Sequence, residues 1–141
     1  MKSYELIDHT ANIGIRAFGQ TLEQMFAHMA LGMFGQMVDL SLVTGQQKKK
    51  IIVEAADEEE LLVEWLNELL YLYLVKKYAF NIFKINKILY RQKLEAEAYG
   101  IKLTKKNQTS IKKKEIKAAT YHQLKIKQEN GVYIGEVLFN V

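Results

Sequence analysis

Residues 61–75 read LLVEWLNELLYLYLV. On a helix of this length the apolar side chains fall on nearly every side, and a helix that is apolar almost all round has to be buried among other elements. The rest of the chain must therefore supply a cover for it. Only Glu64, Asn67 and Glu68 interrupt the pattern, and they mark the side expected to be wet. Asp57 stands at the N-cap position. Glu58, Glu59 and Glu60 then place negative charge on the first turn, where the helix dipole favours it.

The cover is legible in outline. Thr21 can cap a second helix, with Gln24 completing a capping box. Apolar residues recur at Leu22, Met25, Phe26, Met29, Met33, Phe34 and Met37, the spacing of an amphipathic helix whose stripe faces the core. His28 falls near the wet side of that helix. YELI (4–7), IGIRAF (13–18), IIVEA (51–55), FNIFKI (80–85), ILYRQKLEAEAYG (88–100), EIKAATYHQLKIK (115–127) and VYIGEVLFNV (132–141) read as strands. Asn130-Gly131 predicts a two-residue hairpin turn, since both positions must tolerate positive φ. Along 116–126 the even positions carry Ile, Ala, Thr, His, Leu and Ile, which predicts one buried face that includes His122. The expected class is α+β, two helices packed on a largely antiparallel sheet, as a single domain over residues 1–141. That length suffices for one hydrophobic core.

Composition closes off several chemistries. The chain has no cysteine, so it has no disulfide framework, thiolate metal site or cysteine nucleophile. This suits a reducing compartment such as the cytoplasm, as does the lack of a signal-peptide core at the N-terminus or a membrane-length apolar run. No glycine-rich nucleotide loop and no HExxH occurs. His9, His28 and His122 are scattered. The net charge of +4 comes largely from lysines 48–50 and 112–114, which read first as solvated strand ends or loops and only secondarily as a nucleic-acid surface. Between the first two strands, DHTANIGIRAFG (8–19) gathers Asp8, His9, Thr10 and Asn12 in a polar turn. The residues themselves leave open whether that turn binds, catalyses or merely reverses the chain.

The opening YELIDHTANIGIRAFGQTLEQMF resembles the start of the archease family, with its His-Thr-Ala-Asp-Ile-Gly motif and a helix introduced by Thr-Leu-Glu. The similarity continues through LLVEWLNELLYLY (61–73), EIKAATYHQL (115–124) and VLFNV (137–141), in the family's order and spacing, and is looser over 76–113. The resemblance implies a protein cofactor and not a free-standing enzyme. Archeases assist the GTP-dependent RNA ligase of the RtcB type in tRNA splicing and RNA repair, promoting guanylylation of the ligase and its multiple turnover. An older proposal for the family is a chaperone or modulator of partners, among them an RNA methyltransferase. RNA would be met through the ligase, and no membrane is involved.

The resemblance also implies a divalent metal site, for Ca²⁺ or Mg²⁺, made by the motif Asp, an Asp near the C-terminus and the last residue. Those positions are Asn12, Asn140 and Val141. Hard cations require anionic oxygen ligands, so the exchange of both carboxylates for amides predicts a weak or empty site. Asp8, or a terminal carboxylate on Val141, could restore some charge. Three readings stay open: a neutral hydrogen-bonded amide pair, weak residual metal binding, or introduced Asp→Asn substitutions. Lys117 matches a family lysine implicated in function, on a side expected to face solvent and a partner. His9 matches the motif histidine and is expected to orient the turn.

Overall fold

The computed structural model of the chain describes residues 2–7 and 12–141. The long apolar segment is a helix, α2 (Glu58–Leu74), with Leu61, Leu62, Val63, Trp65, Leu66, Leu69 and Leu70 buried. Its cap is as expected. Asp57 Oδ1 accepts from the Glu60 N–H at 2.8 Å, and Glu60 Oε1 accepts from the Ala56 N–H at 3.2 Å. The first helix, α1 (Leu22–Met37), begins on Thr21, whose hydroxyl accepts from the Gln24 N–H at 3.0 Å. All four methionines of its stripe, Met25, Met29, Met33 and Met37, are completely buried. They fill core gaps and offer no sticky surface. The indole N–H of buried Trp65 donates to the Phe26 carbonyl at 3.1 Å, a bond that ties α2 to α1 and satisfies the one polar atom of that side chain.

The strands form two antiparallel sheets where the sequence predicts one. β1 (Tyr4–Ile7), β2 (Ile13–Gly19), β6 (Ala118–Ala119), β7 (Lys125–Glu129) and β8 (Val132–Asn140) make a five-stranded sheet. β8 lies between β2 on one side and both β6 and β7 on the other. β3 (Gln47–Glu54), β4 (Tyr78–Leu89) and β5 (Lys93–Lys102) make a three-stranded sheet in the order β3-β5-β4. A short third helix, α3 (Gln108–Ile111), was not expected from the sequence. Aromatic rings join the layers: Phe34 of α1 meets Tyr73 of α2 and Phe80 of β4 edge-on, with ring centroids 5.7 and 5.8 Å apart. Among the described residues no helix is long and apolar enough to cross a membrane.

Three boundaries differ from the sequence reading, each for a physical reason. The run 88–100 is not one strand. β4 ends at Leu89, and Tyr90-Arg91 turn the chain into β5 with φ of 54° and 59°. Leu89 pairs with Lys93 across a three-residue loop, and the positive φ that Asn and Gly favour is adopted here by residues that carry no such signal. The run 115–127 is broken too. Only Ala118–Ala119 and Lys125–Glu129 are strands, and Gln123 between them has φ 54°. The alternation still holds at Ile116, Leu124 and Ile126, which face the core, but fails at Ala119, which is buried, and at His122, which is exposed on a turn. Finally, lysines 48–50 belong to β3, which begins at Gln47. Asn130-Gly131 does form the expected turn, with φ of 51° and 77°. Gly100 has a separate constraint. A Cβ there would sit 1.8 Å from the Ala79 carbonyl oxygen, so only glycine lets β4 pass at the bulge between Phe80 and Ile82.

Candidate functional site

The family positions meet at one end of the five-stranded sheet. β2 and β8 run antiparallel with Ile13 opposite Phe139 and Gly14 opposite Leu138. Asn12 and Asn140 are the next residues beyond the Ile13–Phe139 pair, Asn12 just before β2 and Asn140 at the end of β8. On the other side of β8, Ala118 pairs with Asn140 and Ala119 with Phe139. The Lys117 N–H donates to the Asn140 carbonyl at 2.8 Å. Asn12, Asn140, Val141 and Lys117 thus come together from three separated parts of the chain. Asn12 is half-buried, while Asn140, Val141 and Lys117 are exposed. Asp8 and His9 lie outside the described residues.

Strand parity puts the two asparagines on the face of the sheet turned away from the helices. Ile15, Ala17, Val137 and Phe139 point inward and are buried. Asn12, Gly14 and Arg16, with Asn140, Leu138 and Glu136, occupy the other parity. Immediately inside the asparagines lies the Gly14–Leu138 pair. A Cβ on Gly14 would come within 3.0 Å of Leu138 Cδ2 and 3.1 Å of Ile7 Cβ, so the motif glycine leaves the space that Leu138 fills. The next outward-facing row is ionic. Arg16 donates through Nη1 to Glu5 and through Nε to Glu136, both at 2.8 Å. The hydrogen bonds from Lys2 and Arg16 hold Glu5 below the usual carboxylate range.

Lys117 is positioned by the segment that follows it, and that segment is held by α2. Asn67 brackets Ala119: its Oδ1 accepts from the Ala119 N–H at 2.8 Å, and its Nδ2 donates to the Ala119 carbonyl at 3.2 Å. Thr120 donates its hydroxyl to the Leu138 carbonyl at 2.8 Å. The Tyr121 hydroxyl reaches Glu64 Oε1 at 3.3 Å. The polar stripe Glu64, Asn67, Glu68 is therefore only in part the wet side of α2, with Glu64 exposed. Asn67 and Glu68 are half-buried, and the stripe is where residues 118–121 dock. Burial, with Glu64 adding to it, raises the Glu68 carboxyl above its ordinary pKa. The one sequence signal for this docking was a few polar residues on an otherwise apolar helix, and a backbone partner leaves no mark on that pattern. Likewise His28 is no bystander. Its Nδ1 lies 2.6 Å from the Phe18 carbonyl, which can only accept, so the ring donates and ties α1 to β2.

Two amides, each with one acceptor oxygen and two N–H donors, and one exposed ammonium suit hydrogen-bonded recognition of another surface. The donor set does not fit a resident hard dication, because neither Asn12 nor Asn140 brings an anionic oxygen. Among the described residues no group of three or more His, Cys, Asp or Glu side chains is placed to hold a metal.

Two helices against antiparallel sheets, with a polar cluster where the first and last strands meet, define a small α+β class of protein. The Archease protein family model matches residues 4–141, and the chain belongs to that family. It is 36% identical to the archease of Methanosarcina barkeri over 143 residues, covering 99% of this chain and 97% of the relative. The solution structure of Methanobacterium thermoautotrophicum protein 1598 is similar with a TM-score of 0.84 and 30% identity, over the whole of both chains. The fold is shared also with a Thermotoga maritima archease described as a possible chaperone, with a TM-score of 0.66, 22% identity and coverage of 96% of this chain and 94% of that one.

Proposed function

We propose that the chain is a non-enzymatic cytoplasmic protein cofactor of a GTP-dependent RtcB-type RNA ligase, promoting guanylylation of the ligase and so its multiple turnover on tRNA or other RNA. The support is family membership over almost the full length, together with the clustering of Asn12, Asn140 and Lys117 from remote parts of the sequence. Lys117 is the residue that contacts the ligase, held at the sheet end by its backbone bond to Asn140. In the family's usual form a divalent ion at this end would add fixed positive charge. In this chain the neutral amides make the contact by hydrogen bonding.

The test is guanylylation and multiple turnover of the ligase from the same organism, with and without this protein. A rise in both, lost in Lys117→Ala while the melting temperature holds, supports the reading. Unchanged turnover at saturating protein rejects it.

A second reading is a chaperone-like module that binds other partners, such as an RNA methyltransferase. The loss of carboxylates at 12 and 140 favours it. Affinity capture from the native extract separates the two, because recovery of the ligase as the main partner counts against the second.

A further inference from the structure

The chain's net charge of +4 is not evenly spread. Nine of its twenty basic residues, all lysine, gather where the C-terminal ends of α1 and α2 meet the start of β3 and the end of β5. Side-chain and backbone contacts link the segments. Lys49 Nζ of β3 and Lys102 Nζ of β5 lie 4.3 and 4.7 Å from the centre of the Tyr78 ring. Lys102 also donates to the Lys76 carbonyl at 2.6 Å, and the Leu103 N–H donates to the Lys77 carbonyl at 2.6 Å. The turn that follows, closed by reciprocal Thr104 and Asn107 bonds, presents Lys105 and Lys106. Lys112 Nζ sits 5.8 Å from the Tyr73 ring in the last turn of α2, and the backbone N–H groups of Lys113 and Lys114 bond to Met37 and Gln36 at the end of α1.

Part of this charge has a structural use. Neither α1 nor α2 has a basic residue in its last turn. Lys113 donates to the Gly35 carbonyl in the last turn of α1 at 2.9 Å, and Lys102 donates to the Lys76 carbonyl just beyond α2, so both hold backbone carbonyls from outside the helices. The other seven have no such task. Among the described residues no carboxylate lies within ion-pair distance of any of the nine, nor of Lys50, Lys84, Lys93 or Lys117, whereas Lys2, Arg16, Lys48, Lys87, Arg91, Lys125 and Lys127 are all paired. The crowding is felt locally. Lys49, with Lys102 and Lys76 behind it, holds the Tyr78 phenol below the usual tyrosine range. The opposite end of α2, roughly 25 Å away by helix rise, carries Glu58, Glu59 and Glu60.

We infer that this lysine belt binds the phosphate backbone of a single-stranded nucleic acid. Unpaired ammonium groups gathered from several segments match a line of phosphates and release its counterions on binding. The belt has no arginine, so phosphates would be met by lysine ammonium groups acting as point charges and not by bidentate forks. Tyr71, 44% exposed with Lys76 Nζ 6.0 Å from its ring centre, adds an aromatic face beside the charges. Unpaired bases can stack on such a face, and bases inside a duplex cannot. None of the nine lysines is among the residues placed at the Asn12–Asn140 end, and the inference does not depend on the ligase reading.

The test uses the purified chain alone, so that its failure is distinct from failure of the ligase assay. A fluorescently labelled oligouridylate of about 16 nucleotides is titrated by anisotropy across a salt series. Binding should weaken with salt. The exposed triple variant Lys105→Ala/Lys106→Ala/Lys112→Ala should flatten the log–log salt slope by about 2 and weaken binding about tenfold or more at about 50 mM salt. Removing as much charge from paired lysines, in Lys87→Ala/Lys125→Ala/Lys127→Ala, should change the slope little. Tyr71→Ala should weaken binding without changing the slope. Equal losses in the two triple variants would overturn the belt. No effect of Tyr71→Ala, or equal affinity for a duplex of the same length, would overturn the single-strand assignment. Displacement of the RNA by polyglutamate at matched charge would reassign the surface to an acidic protein. Should the belt variant melt early, Lys105→Gln and Lys106→Gln singly, each expected to reduce the slope by about 0.7, carry the same test.

Discussion

Asn67 holds the segment that carries Lys117, and Asn67→Ala is the sharpest test of that claim. The substitution removes both bonds to Ala119, at 2.8 and 3.2 Å, from a residue that is only 5% exposed. Each buried backbone group left without a partner costs about 1–3 kcal/mol. Two such groups, near enough to the surface for some water to reach them, put the loss at about 2–3 kcal/mol. Urea unfolding should show a lower midpoint with an unchanged slope, since little extra surface is exposed. The change should also be local, so amide exchange at Ala119 and Lys117 should accelerate more than exchange at Leu66 or Trp65. Asn67→Asp keeps the acceptor for the Ala119 N–H but turns an oxygen toward the Ala119 carbonyl, and should recover little of the loss at neutral pH. A loss below about 0.5 kcal/mol would show that these bonds contribute no more than an ordinary surface contact, and the account of how Lys117 is positioned would be wrong.

Other expectations follow from the same geometry. Tyr90→Asn should stabilise the protein by up to about 1 kcal/mol, read as a higher urea midpoint, because asparagine tolerates the positive φ that tyrosine is forced to adopt and Tyr90 is 91% exposed. Glu68→Gln should leave stability unchanged at low pH and raise it at neutral pH. The Glu68 carboxyl titrates above its ordinary value of 4.5 when folded, so the folded state binds the extra proton, and stability falls as pH rises from the unfolded pKa through the folded one. Equal urea midpoints for the two proteins across that range would contradict the burial of this carboxyl. Asn12→Asp with Asn140→Asp should lower the melting temperature at neutral pH without metal, since two close carboxylates repel, and should confer calorimetrically visible Ca²⁺ or Mg²⁺ binding that raises it again. Failure of the double variant to bind any divalent ion would mean that the two side chains do not share a site.

Much of the fold could be read because it rests on local rules. Capping by Thr21 and Asp57, the methionine stripe and the Asn130-Gly131 turn each depend on a few neighbouring residues, and each is found in the structure. The misreadings occurred where backbone geometry went against residue preference. Tyr90-Arg91 makes a hairpin turn with neither glycine nor asparagine, and Gln123 breaks a run whose alternation looked continuous. The candidate site was legible only through resemblance, since Asn12, Lys117 and Asn140 are ordinary polar residues that become a cluster when β8 lies between β2 and β6.

By itself the sequence determined that a helix apolar on all sides must be enclosed, and that amphipathic elements were present to enclose it. It also determined that two amides stand at the family's carboxylate positions. Tertiary structure alone decided that the strands part into two sheets and that the polar stripe of α2 is a docking edge for residues 118–121. It also decided that lysines 49, 76, 102 and 112 share one surface. The physical reason is the range of the forces. Burial and capping act through the periodicity of a single element. Charge clustering and backbone pairing depend on which segments meet in space, and these segments are tens of residues apart along the chain.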